Sequence, residues 1–161
     1  MRFSTREDIE VPIETVFKDI TNFEVLERRA LRRGAEVIRT DPPEGPGQGT
    51  VWEVTFAFRG RDRDCVAEVV GYDAPNTMIV DSNTGGLAGQ VTLDLVALNP
   101  NKTRVKLVID LKPNNLSARL LVQSLKLAKA SLEKRLSSGF ASFAQQMERD
   151  YRGTKPGETL G

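Results

Sequence analysis

Residues 117–150, SARLLVQSLKLAKASLEKRLSSGFASFAQQMERD, read as one continuous helix, and the rest of the chain is organised around it. Leu121, Leu125, Ala128, Leu132, Leu136, Phe140, Phe143 and Met147 recur at spacings of three and four, which lines them along one side. At the usual rise per residue this helix spans about 50 Å, more than a small domain needs for simple closure. Its apolar stripe requires a matching surface from the residues upstream.

That surface reads as a sheet, because the hydrophobic period upstream is two. Phe3, Thr5, Glu7 and Ile9 alternate with Ser4, Arg6, Asp8 and Glu10 over Arg2 to Val11, a half-buried strand. Glu7 falls on the apolar side, near enough to the strand end to reach water. Trp52, Val54, Phe56 and Phe58 share a face against Glu53 and Thr55, so this aromatic face is read as inward. Arg59-Gly60-Arg61-Asp62 turns the chain. The return strand sets Cys65, Ala67 and Val69 against Asp64, Glu68 and Tyr72, with small residues opposite the large ones of its neighbour. Further strands follow at Thr77 to Asn83, with Ile79, Asp81 and Asn83 on one face, at Val91 to Ala97 and at Arg104 to Leu111. The turns between them are rich in Gly, Pro and Asn, so the strands form consecutive hairpins of an antiparallel meander.

Two short helices precede the meander. Pro12 opens the first, with Glu14 in its first turn and Ile13, Val16, Phe17 and Ile20 on one face. Thr21 and Glu24 have the spacing of a capping box for the second, which ends at Gly34. Its Arg28, Arg29, Arg32 and Arg33 read as a solvated face near a helix C-terminus, since no aromatic residues are interleaved for stacking on bases. Ala35 to Thr40 forms a short strand. Asp41 to Gly49, DPPEGPGQG, is a loop that either gates an entrance or only connects. Asn115 is placed to cap the long helix, and Gly153 to Gly161 read as a flexible tail after a single domain of residues 1–152.

Composition narrows the chemistry. The 161 residues suit one core, and 23 Lys plus Arg against 22 Asp plus Glu leave a net charge of +1, so no global field draws the chain to nucleic acid. Histidine is absent and Cys65 is the single cysteine. These absences exclude Ser-His-Asp and Cys-His nucleophiles, histidine-bound metal and an internal disulfide. No cofactor is expected. No apolar signal core or membrane-length run is visible, so a cytoplasmic location without integral membrane association is expected.

In this order of elements the chain resembles the SRPBCC superfamily, the START-like or Bet v 1-like helix-grip fold, and within it the bacterial polyketide cyclase/dehydrase-like branch. The resemblance rests on the opening strand running into Val11-Pro12-Ile13-Glu14-Thr15-Val16-Phe17, on the Asp19 to Asn22 break between two short helices, and on hairpins ending in a long helix. It extends from Phe3 to Met147. It implies an α+β fold, a seven-stranded curved antiparallel sheet wrapped around the C-terminal helix, with a hydrophobic cavity between them. It transmits no activity, because fold does not fix function.

Candidate ligand-wall residues are Trp52, Val54, Phe56, Phe58, Cys65, Ala67, Val69, Leu93 and Leu95 from the sheet, and Leu121, Leu125 and Leu132 from the helix. Binding of a hydrophobic or amphipathic molecule, such as a lipid or polyketide, is the preferred reading, for transport or sequestration. A cyclase or dehydratase is the alternative, with Asp81 or Tyr72 as acid or base, because a carboxylate in an apolar cavity has a raised pKa; against this, an Asp81 that lies near a strand end or faces outward, with Val80 inward, is the favoured reading of that strand. A third reading is a protein-interaction module, in which Leu120, Leu127 and Ala130, off the main stripe, serve a partner or a dimer; the chain is otherwise expected as monomer or homodimer. Leu121, Leu125 and Leu132 are expected over the open part of the cavity, with Phe140, Phe143 and Met147 sealing a packed end. At Gly139 the helix should either approach the sheet closely or kink.

Overall fold

The computed structural model describes residues 1–154. Its order is β1 (Arg2–Ile9), α1 (Ile13–Ile20), α2 (Phe23–Arg32), β2 (Glu36–Thr40), β3 (Val51–Phe58), β4 (Arg61–Asp73), β5 (Thr77–Thr84), β6 (Leu87–Asn99), β7 (Lys102–Pro113), α3 (Leu116–Leu127) and α4 (Lys129–Thr154). The seven strands form one antiparallel sheet in the order β1-β7-β6-β5-β4-β3-β2. Helices α1 and α2 therefore carry the chain from one edge strand to the other, and α3 and α4 return across the same concave face. This is the helix-grip α+β architecture.

Directly opposed residues of an antiparallel pair share a face, so the register decides what points at the helices. Trp52 lies opposite Ala67 and Val54 opposite Cys65, the large-against-small pairing expected from the alternation. Met78 opposes Leu93, and Leu93 opposes Leu107. At one end of the sheet these inward residues meet α1, α2 and the last turns of α4. Ile9, Val11, Val16, Val69 and Val105 are fully buried there, joined by Phe17, Phe23, Trp52, Leu95, Ala144 and Met147 in one cluster. Each such side chain stabilises the fold by about 1.5–3 kcal/mol relative to leaving it exposed.

Local chemistry explains the helix ends, with corrections to the reading of the sequence. Asn22, not Thr21, caps α2, its Oδ1 accepting from the Val25 N–H at 3.2 Å. Thr21 instead closes α1, donating its hydroxyl to the Phe17 carbonyl at 2.6 Å. Gly34, at φ +90°, ends α2: its own N–H bonds the Leu31 carbonyl and the next N–H, of Ala35, bonds that of Ala30, which satisfies two orphan acceptors. Asn115 caps α3 as expected, accepting from Ala118 N–H at 2.8 Å.

The C-terminal helix is interrupted at Ala128 rather than at Gly139. Ala128 has left the helical conformation (φ −105°, ψ 10°) and closes α3, while α4 begins at Lys129. The cause is tertiary: α3 packs along β7 and α4 along β1, and one straight rod cannot follow both strands of a curved sheet. Gly139 lies within continuous α4, and a Cβ built there meets nothing within 4 Å, so neither a close approach nor a kink explains it. Gly153 and Thr154 still belong to α4, and the remainder of the expected tail lies outside the described residues. No helix among the described residues is long and apolar enough to cross a membrane.

The junction between β1 and α1 depends on one buried bond. The Thr103 hydroxyl, wholly buried on β7, donates to the Val11 carbonyl at 2.8 Å, just before Pro12 starts the crossover. Replacing it by the isosteric Thr103→Val leaves that carbonyl without its partner, and thermal or urea unfolding should show a loss of about 1–3 kcal/mol.

Candidate functional site

Away from the packed end, the concave face is less well covered. A cavity of about 910 Å³ opens there between the β3–β4 hairpin, the β5–β6 hairpin and α3. Phe56, Phe58, Leu87, Ala118 and Leu121 give it apolar walls, while Arg59, Arg61, Asp62, Arg63, Asp64, Thr84, Asn115 and Ser117 supply its polar border. Leu116 and Leu120 on the outer rim are 69% and 63% exposed, so apolar surface continues from the interior to solvent.

Two tight turns form its lips. The β3–β4 turn, Arg59-Gly60, and the β5–β6 turn, Gly85-Gly86, both have positive φ at both central residues (51° and 81°; 55° and 83°), the backbone twist that two-residue hairpins favour. Asn115 locks the second turn to α3. Its side-chain amide donates to the Gly85 carbonyl at 3.2 Å, and the Asn114 N–H bonds the Gly86 carbonyl at 2.8 Å. A Cβ on Gly86 would overlap the Asn115 side chain. Arg59 spans the gap on the other side, its guanidinium 3.0 Å from Ser124 Oγ on α3 and 5.3 Å from the centre of the Phe58 ring.

The candidate wall residues divide between the two ends of the sheet. Phe56, Phe58 and Leu121 border the cavity. Trp52, Val69, Leu93 and Leu95 are buried in the packed cluster, with Val54 and Ala67 half-buried against it. Trp52 stacks edge-on against Phe23 at 4.8 Å. Cys65 is half-buried on the concave face, and desolvation pushes its thiol pKa up, the direction that suppresses nucleophilic thiolate. Leu125 and Leu132 are half-buried but outside the cavity lining. At the other end of α4, Ala144 and Met147 are buried. A separate groove of about 380 Å³ lies beside Phe143 and Met147, between α4 and the two short helices. On its rim the Asp19 carboxyl is pushed up by desolvation and by the nearby Asp150.

Neither acid-base candidate reaches the cavity. Asp81 lies opposite Gln90 and Glu68, on the convex face, where the Gln90 amide donates to its carboxylate at 2.8 Å. Val80, not Asp81, points inward, so Ile79, Asp81 and Asn83 share the outer face. Tyr72 does turn inward, although strict alternation from Val69 puts it outside, because a register shift between Val69 and Gly71 inserts one residue and re-aims the rest of the strand. It packs against Phe17 at 5.4 Å, in a groove of about 590 Å³ that also includes Pro46. The loop of residues 41–49 thus borders the Tyr72 groove and not the large cavity. Glu7 is half-buried on the concave face of β1, opposite Val105.

Arg28, Arg29, Arg32 and Arg33 are all exposed, as the solvated-face reading expects, and two of them make surface contacts. Arg29 lies over the Phe143 ring at 4.7 Å, and Arg28 donates to the Glu24 carbonyl at 3.4 Å. The arginines that face the cavity were missed in the sequence because Arg59 to Asp62 reads there only as a turn. Continuing the period-two pattern of Cys65, Ala67 and Val69 back through Arg63 and Arg61 would have found them.

Comparisons with known proteins agree on the fold. No family model matches the chain, and no curated protein matches it by sequence. Among solved structures, an aromatase/cyclase from Streptomyces sp. R1128 superimposes with a TM-score of 0.64 at 12% identity, covering 94% of this chain and 96% of its own. Norcoclaurine synthase from Thalictrum flavum, solved with dopamine and hydroxybenzaldehyde, gives 0.63 at 12% identity over 96% and 88%. A START superfamily protein from Mycobacterium smegmatis gives 0.54 at 17% identity over 83% and 95%. The START-like, Bet v 1-like fold is therefore this chain's fold, and at such identities the likeness extends to the fold alone.

Two measurements check the site's construction. Gly86→Ala combines a positive φ with an overlap on the α3 cap, so it should destabilise the protein by about 2 kcal/mol or more and increase hydrogen exchange at the start of α3. Cys65 should react with a maleimide at neutral pH markedly more slowly than a free thiol, and at the free-thiol rate once the protein is unfolded.

Proposed function

We propose that this protein binds a hydrophobic or amphipathic small molecule, of lipid or polyketide type, between the sheet and the C-terminal helices. The observation that carries this reading is the cavity of about 910 Å³ with walls from Phe56, Phe58, Leu87 and Leu121. Its size falls within the range of small-molecule sites, and it combines an apolar wall with a strongly polar border, which suits an amphipathic ligand. The similar structures support it by fold, since two of them are enzymes named for small-molecule chemistry and one of these was solved with small molecules bound.

Binding without turnover is favoured over a cyclase or dehydratase activity. Asp81 points away from the cavity, Tyr72 lies in a different groove, and the raised pKa of Cys65 disfavours thiolate. Of the charged residues that border the cavity, Asp62 and Asp64 alternate to the convex side of β4, and the guanidinium groups of Arg59, Arg61 and Arg63 orient a ligand more readily than they exchange protons with it.

Native mass spectrometry of the purified protein, followed by extraction and identification of any bound compound, tests the reading. Leu121→Trp, which fills the cavity from α3, should reduce bound ligand at least about tenfold, the effect of losing roughly 1.4 kcal/mol of binding. Val96→Trp on the convex face should leave it unchanged. A protein that purifies empty and takes up no member of a panel of hydrophobic compounds would refute the proposal.

A further inference from the structure

We infer that the ligand of this cavity ends in an acidic group, a carboxylate or phosphate monoester, received by Arg59, Arg61 and Arg63 at the mouth while its apolar part lies against Phe56 and Phe58. The inference rests on the binding reading above and adds the ligand's charge and orientation.

The β3–β4 register supplies the first argument. Arg63 lies opposite Phe56 and Arg61 opposite Phe58, so both arginines project from the concave face beside the cavity's two aromatic rings. Asp62 and Asp64 also border the cavity, but they alternate with the arginines along β4, opposite Ala57 and Thr55, so their side chains leave from the convex side of the strand. The Thr55 hydroxyl donates to Asp64 there at 3.0 Å. Among the described residues no carboxylate comes within ion-pair distance of Arg59, Arg61 or Arg63. Arg63 has one long contact with the Phe58 carbonyl at 3.4 Å, and Arg59 has the Ser124 hydroxyl. What sets these three apart from the other arginines without an ion pair is their place beside the apolar cavity rather than on the open surface. Guanidinium groups beside an apolar recess, without an internal counter-charge, are matched to an anionic partner.

The backbone supplies the second. Arg59 has φ +51° and is the one described residue other than glycine with positive φ. The neighbouring lip makes the same kind of turn with Gly85-Gly86, and asparagine or aspartate also suits the first position. A bulky side chain in the left-handed region costs about 1–2 kcal/mol, and it is at such positions that a functional demand outweighs local preference. Here the strained residue places its guanidinium across the mouth, between the Phe58 ring and α3. The first turn of α3, at Ser117 and Ala118, borders the same opening, and the positive end of the helix dipole favours a negative group there.

Isothermal titration of the full chain with dodecanoate, dodecyl phosphate and dodecanol, each below its micelle concentration, tests the inference. One or both acids should bind at least about tenfold more tightly than the alcohol, the scale of one or two charge-assisted hydrogen bonds, and added salt should narrow the gap. The pair Arg61→Gln with Arg63→Gln should bring acid and alcohol to within about threefold, with the loss falling on the acids. Arg59→Asn keeps a residue suited to the turn, so an unchanged or raised melting temperature with a reduced acid preference separates charge from folding. Whichever acid retains the preference identifies the head group. Equal binding of all three compounds, or an acid preference that survives both sets of substitutions, would overturn the inference and leave the binding reading standing. Binding of none of the three would overturn both.

Discussion

A seven-stranded sheet with one apolar face must cover that face, and here the covering layer is narrower than the sheet. Helices α1 and α2 cross from one edge strand to the other at a single end, and α4 brings Ala144 and Met147 to the same end. Burial is accordingly concentrated there, in Ile9, Val16, Val69 and Val105, with Thr103 tying the crossover to β7. The opposite end meets only α3 and the tips of two hairpins. The recess beneath α3 results from this division: the apolar contacts that stabilise the fold are made at one end, so the other need not close.

The break at Ala128 belongs to the same division. By changing direction there, the chain lets α3 follow β7 at the open end and α4 follow β1 at the packed end. Leu127, at the turn, is 93% exposed, and so its apolar side chain contributes almost nothing to the core. The lips of the recess are made rigid by local geometry instead, through two-residue turns and the Asn115 bridge from α3 to Gly85. Charge at the mouth is a consequence of strand alternation, which sends Arg61 and Arg63 to one face of β4 and Asp62 and Asp64 to the other.

The structures this chain resembles show how widely the architecture is shared at low identity, 12% for both the aromatase/cyclase and norcoclaurine synthase. What distinguishes one protein of this fold from another is therefore the set of side chains at the open end. In this chain the set holds no histidine; phenylalanines, leucines and arginines form it, with Asp62 and Asp64 at its border directed to the convex side of β4. Such a set suits holding and orienting a molecule better than passing protons to it.

The sequence by itself determined the seven strands, the two crossover helices, the helical end of the chain and the small face of one strand beside the large face of its neighbour, because hydrophobic period and turn residues are local signals. It also marked Phe56, Phe58 and Leu121, which border the cavity. Tertiary structure decided the rest. Register chose between the two faces open to Asp81 and put it on the convex one, the favoured reading; Tyr72 turned inward because a bulge inserts a residue; the helix broke at Ala128 because the curved sheet, not helix propensity, sets its path. Local alternation places Arg61 and Arg63 on the concave face, but only the packing of α3 and the β5–β6 hairpin around them makes a cavity there. Strand register and the path of a helix over a sheet are fixed by contacts between residues far apart in the chain, and local sequence pattern does not encode them.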